Sequence, residues 1–202
     1  MTSVAAPDAL LELSFAHVAA RALHVVAELG TADRLDDAPQ DVYPLAAEQR
    51  LDPDALGRLL RLLEARGVFS RDTDGRWRHT EASRVLRSDH PMSLRAFARM
   101  AGTPFGWASF SGLHHSTRTG EPGICQLEPS GWLAYLQAHP DEACIFQQAM
   151  TAKAQDDIAA VLAGYDFSRH RRIADVVGWA GAPDLCRAGR PSGCLRRAVR
   201  PS

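Results

Sequence analysis

Arg172-Ile173-Ala174-Asp175-Val176-Val177-Gly178-Trp179-Ala180-Gly181 is the stretch on which the reading of the fold turns. An apolar, β-branched run ends in an acidic residue and then in glycines. Such a run enters a sheet as a buried strand, and glycine beyond it lets main chain approach a ligand closely. The pattern falls short of a full G-x-G-x-x-G, and no second strand–helix unit follows. From these ten residues alone the plainer reading is an ordinary strand-to-loop turn. The residues upstream shift that weighting.

Immediately upstream, Asp141 to Ala163 reads as one helix with Phe146, Met150, Ala154, Ile158, Val161 and Leu162 on a broad face. Met150 beside Phe146 suits either core packing or a flat ligand. From Met92 to Gly164 the chain reads as all helical, with breaks at Gly102-Thr103-Pro104, Gly120-Glu121-Pro122-Gly123 and His139-Pro140. Trp107 to Ser116 is rich in aromatic and small residues, which suit the wall of an aromatic ligand's pocket or plain core. His114 and His115 have the chemistry for acid–base work, but an isolated histidine pair is more often surface.

Further back, Asp8 to Leu29 carries Phe15, Val18, Ala22, Val25, Val26 and Leu29 at helical spacing, with Asp8 placed to cap its start and Gly30 to stop it. Leu10, Leu11 and Leu13 lie outside that stripe. A helix apolar on more than one side is buried deeply or against a partner chain. Asp41 to Gly67 then holds two helices, the second capped by Asp52, with Pro53 at its first turn and Leu56, Leu59, Leu60 and Leu63 as its buried stripe. Val68 to Arg71 and Arg76 to His79 flank Asp74-Gly75 as a β-hairpin, and Thr80 caps a helix through Leu86. Helix, helix, hairpin is a winged-helix order. Arg58, Arg61 and Arg66 could face phosphates, but Asp52, Asp54, Glu64, Asp72 and Asp74 share those elements, so a duplex-binding footprint is poorly supported.

The length fits one good core, or a domain plus part of another. There are 23 basic and 24 acidic residues, so nothing global points to nucleic acid or an anionic membrane. Cys125, Cys144, Cys186 and Cys194 make no C-x-x-C, so no metal is expected. No signal peptide is read at the start and no apolar run is read as long enough to span a bilayer, which makes the cytoplasm the expected compartment.

Several stretches, taken in order, resemble the bacterial small-molecule O-methyltransferases that use S-adenosylmethionine, above all those acting on aromatic polyketides such as anthracyclines, relatives of the plant phenolic O-methyltransferases. They are Ala27 to Leu35, Leu59 to Leu63 leading into Gly67-Val68-Phe69, and His114-Ser116-Arg118-Thr119-Gly120-Glu121-Pro122. Phe146 to Met150, Tyr165 to Ser168 and the strand end at Asp175-Val176 complete the set. The resemblance implies a mainly α fold: a helical winged-helix-like dimerisation domain over residues 1–90, a helical linker and acceptor-lid region over 91–170, and over 171–202 the truncated first strand of a Rossmann-like α/β methyltransferase domain. It implies a homodimer through the N-terminal helices and an aromatic small-molecule substrate. It places cofactor contacts at Asp175, Gly178 and Gly181 and acceptor contacts at Trp107, Phe146 and Met150, with no catalytic base in this chain.

The departures are local. The family's cofactor loop reads D-V-G-G-G-x-G, whereas Val177 and Trp179 stand at two of its glycine positions. Side chains there obstruct the cofactor and disfavour positive φ. The tail after Gly181 is rich in Arg, Pro and Gly and holds no acid after Asp184. Codons permitted by this tail, read one nucleotide later from near Val177, can encode Asp-Val-Gly-Gly-Arg-Gly-His-Leu, and the span from Leu195 to Ser202 can encode Gly-Gly-Leu-Phe-Asp-Leu-Pro. A frame-shifted, truncated and inactive methyltransferase is therefore the expectation, with a non-catalytic dimerising remnant and a winged-helix regulator as alternatives.

Overall fold

A computed structural model describes residues 6–167. Its order is α1 (Ala6–Leu29), α2 (Thr31–Arg34), α3 (Val42–Glu48), α4 (Pro53–Glu64), β1 (Phe69–Arg71), β2 (Trp77–His79), α5 (Glu81–Arg84), α6 (Arg95–Gly102), α7 (Pro104–Ser111), α8 (Leu113–Thr119), a 3-10 turn (Gly123–Gln126), α9 (Trp132–Ala138) and α10 (Pro140–Gly164). The expected mainly helical character is observed. The strand expected around Asp175 lies outside the described residues.

The first core is built as local chemistry dictates. Asp52 accepts a hydrogen bond from the Ala55 amide at 2.7 Å, with Pro53 in the first turn, and so starts α4. Leu56, Leu60 and Leu63 are fully buried beneath it, whereas Leu59 is half-buried at the rim. Gly67 leaves the helix at φ +75, a conformation that favours glycine. The hairpin pairs Phe69 with His79 and Arg71 with Trp77 in antiparallel register. Its turn is held by Asp72, whose side chain accepts from the Asp74 and Arg76 amides. Gln40 adds a backbone bridge to Trp77. The helix expected from Thr80 to Leu86 is shorter: Thr80 and Ser83 form a capping box at its start, and α5 ends at Arg84.

Two expectations about α1 change. The described helix already includes Ala6 and Pro7, so Asp8 lies within it and is not the cap. Contrary to the reading that no run could span a bilayer, Pro7–Leu29 is long and apolar enough to do so, with a mean hydropathy of 1.4. The stripe at helical spacing hid this, since Leu10, Leu11 and Leu13 raise hydropathy without joining the stripe. The second half of α1 is nevertheless protein core: Ala22, Val26 and Ala27 are buried in the main cluster. Its C-terminal end is held by Arg95, which donates to the Ala27 carbonyl at 2.9 Å, and by Arg99, paired with Glu28 at 2.7 Å. Asp33 ties the same corner, pairing with Arg95 at 3.0 Å and accepting from the Ser88 amide at 2.6 Å.

Candidate functional site

The second half of the described chain folds around an aromatic cluster. Thr103 caps α7 by accepting from the Gly106 amide, and α7 then projects Phe105 inward. Pro140 at the first turn of α10, with Asp141 and Glu142 beside it, makes a favourable helix start. Phe105 stacks on Tyr135 at 5.8 Å and meets Phe146 edge-on at 6.0 Å, while Trp132 lies 5.7 Å from Phe146. Tyr135 stacks on His139 at 4.0 Å. Ile124, Tyr135 and Leu136 are buried, and Phe105 and Phe146 are half-buried around them.

Glu142 ties these elements together. One carboxylate oxygen accepts from the Tyr135 hydroxyl at 2.9 Å and the other from the Phe105 amide at 2.9 Å. Burial, followed by the hydrogen bond to Glu142, pushes the Tyr135 phenol up to about 12. It therefore stays protonated and acts as a hydrogen-bond donor, unsuited to serve as a base near neutral pH. Sequence reasoning missed this pair. The acidic first turn after Pro140 was readable as a helix start, but no spacing rule joins a phenol on one helix to a carboxylate on the next.

The three residues expected to meet the acceptor do not converge. Phe105 and Trp107 leave α7 roughly 200° apart, on nearly opposite faces. Phe146 belongs to the Phe105 side. Trp107 faces α1, standing edge-on to His24 at 6.1 Å with the Arg21 guanidinium 5.6 Å from its ring centre. Met150, half-buried, lies one turn after Phe146 on the same face of α10. Asp175, Gly178 and Gly181 lie outside the described residues.

A cavity of about 460 Å³ opens between α6 and α10, lined in part by Ser88, Arg95, Arg99, Gln147, Gln148 and Thr151. It lies on the side of α10 roughly opposite Phe146 and Met150. Its two arginines are already engaged, Arg95 by Asp33 and Arg99 by Glu28.

The R-T-G-x-P stretch proves to be architectural. Gly120 ends α8 at φ +78, and Thr119 accepts from the Glu121 amide. The turn sets Gly123 against Gly112, where a Cβ on either glycine would run into the backbone of the other. His115 lies 3.2 Å from Glu121, and His114 is exposed. Of the arginines that suggested phosphate binding, Arg66 pairs with Glu12; beside them, Arg71 pairs with Glu64 and Arg76 with Asp72 and Asp74.

Comparison with known proteins agrees with this architecture. Residues 11–89 match the family model of the O-methyltransferase dimerisation domain. The chain is 34% identical over 183 residues to the 3-amino-4-hydroxybenzoate 4-O-methyltransferase of Streptomyces cremeus, covering 88% of this chain and 50% of that protein. Among solved structures, LaPhzM superposes with a TM-score of 0.76 at 30% identity, over 84% of this chain and 51% of that one. CalO1, the methyltransferase of calicheamicin biosynthesis in its SAH-bound form, does so with a TM-score of 0.73 at 28% identity, over 94% of this chain and 57% of that one. The chain spans about half the length of the curated relatives it matches.

Proposed function

From a chain whose residues 11–89 are an O-methyltransferase dimerisation domain, we propose the dimerising and acceptor-side portion of an enzyme that methylates a hydroxyl of an aromatic, polyketide-type metabolite. The observation that carries this reading is a family dimerisation domain continuing without a break into helices that superpose on solved methyltransferases. Residues 1–90 form the dimerisation unit, and the α3–α4–hairpin order supports its winged-helix-like character. Residues 91–170 form the acceptor side, where Phe146 and Met150 present one face of α10 beside Trp132 and Phe105. Residues 171–202 begin the cofactor side, with Asp175, Gly178 and Gly181 at the motif positions.

S-adenosylmethionine, when bound, supplies the methyl group to the acceptor oxygen. The residues of this chain contribute position: aromatic faces to stack the acceptor ring, and a second copy to complete the assembly. Glu142 and Tyr135 hold α7, α9 and α10 in register.

Isothermal titration calorimetry with S-adenosylmethionine tests the cofactor side. Val177 and Trp179 stand at two of the motif's glycine positions, so the 202-residue chain is expected to give no binding heat. Measurable binding would restore the chain as an enzyme in its own right. Nucleotide sequence across codons 175 to 202 tests the frame shift: a glycine loop in the next frame is expected, and its absence there sinks that idea. The exposed face of α1 favours a second reading, a non-catalytic partner that pairs with a full-length relative. Co-purification of the two on co-expression is the expected result for it.

A further inference from the structure

The cavity between α6 and α10 lies away from the aromatic cluster, and its wall is one-sided in charge. Arg95 and Arg99, one turn apart on α6, line it together with His90, and no aspartate or glutamate lines it with them. Arg95 is spent on the Ala27 carbonyl and on Asp33. Arg99 gives Nε and Nη2 to Glu28 at 2.7 and 3.3 Å, which leaves Nη1 without a partner among the described residues. His90 accepts the Met92 amide on Nδ1 at 3.1 Å, so its neutral ring carries the proton on Nε2, as a donor.

The facing wall, from α10, holds polar groups that are not used. Ser109, Ser111, Thr117 and Thr119 each donate the hydroxyl proton to the carbonyl four residues back, as helical hydroxyls commonly do. Thr151 does not, and neither its hydroxyl nor the Gln147 side-chain amide has a hydrogen-bond partner among the described residues. Both side chains are half-buried. Arg99, His90, Gln147 and Thr151 therefore offer N–H or O–H donors around one space, and an oxygen-rich anion satisfies such a set. At about 460 Å³ the space holds an organic molecule, larger than a bare ion. The planar edge of a guanidinium matches a carboxylate.

We propose that this cavity is a binding site for a small organic carboxylate, held by the free edge of Arg99 and by Gln147 and Thr151. The site is separate from the acceptor side and does not rest on the methyl-transfer reading. Its occupant bridges α6, which packs on α1, to α10, whose other face carries Phe146 and Met150. Binding there stabilises the joint between the dimerisation unit and the acceptor-side helix.

Isothermal titration calorimetry of the full chain with citrate as the probe, at constant ionic strength, tests the site against Thr151→Val and a Gln147→Leu/Thr151→Val double variant. These replacements keep side-chain shape and leave the Arg95 and Arg99 pairs intact, and circular dichroism checks the fold. The expected result is saturable one-to-one binding of citrate by the wild type, about 10-fold weaker binding by the double variant, and an intermediate value for Thr151→Val. No binding by the wild type, or undiminished affinity in the folded variants, overturns the site. Inorganic phosphate bound as tightly as citrate overturns the carboxylate class.

Discussion

The two hydrophobic clusters of this molecule are closed by different means. The first gathers Val26, Leu35, Leu45, Leu56, Leu60, Leu63, Phe69 and Trp77, all nearly inaccessible, beneath capped helices and a hairpin. The second buries Ile124, Tyr135 and Leu136 and surrounds them with half-buried aromatics. The first is sealed by its own chain. The second is held by a hydrogen-bonded carboxylate and a glycine–glycine contact, and keeps Phe146 and Met150 short of full burial. A sealed core specifies a fold, and a partly open aromatic one leaves surface for a ligand or another part of an enzyme.

The largest expected effect separates the two directly. Leu60→Ala should cost about 2–5 kcal/mol, as deletion of a buried leucine usually does. Phe146→Ala should cost less than half as much by denaturant titration. Equal costs would erase the distinction. Gly112→Ala comes next, at about 1–3 kcal/mol, because its Cβ meets the Gly123 backbone with no side chain free to give way. A neutral Gly112→Ala would show that the second cluster is looser than drawn. Tyr135→Phe should cost about 1 kcal/mol by removing the donor to Glu142, and should leave helix content unchanged.

The smallest effect is acid sensitivity. His24 and His79 are both held below the ordinary imidazole value, chiefly by burial. A histidine lowered in the folded state contributes stability that is present above its unfolded value of 6.5 and lost as pH falls through the folded one. Tm should therefore be flat from pH 8 to pH 7 and decline below about pH 6.5, with a shallower decline in His79→Gln. Glu28, lowered first by its hydrogen bond to Arg99, contributes above pH 4.5 and is lost further into acid, so the two losses separate along the titration.

Much of the first cluster was legible because its signals are local. Asp52 before Pro53, leucines at positions 56, 60 and 63, Gly67, and Asp74-Gly75 between apolar runs each act within one turn of chain. The pairing of Arg95 with Asp33 and of Tyr135 with Glu142 was not legible, since it depends on which helices meet. Trp107 and Phe146 read alike as aromatics on helices. Only the 200° between Phe105 and Trp107, joined to the position of α1, places them on different sides. His114 to Pro122 was readable as a recurring motif, but its purpose, bringing Gly123 onto Gly112, needed coordinates.

The leading turns of α1 have a consequence for handling the protein. In the proposed dimer, the exposed apolar residues at the start of α1 tie melting temperature to protein concentration. Dilution of that dimer then lowers the temperature at which it unfolds.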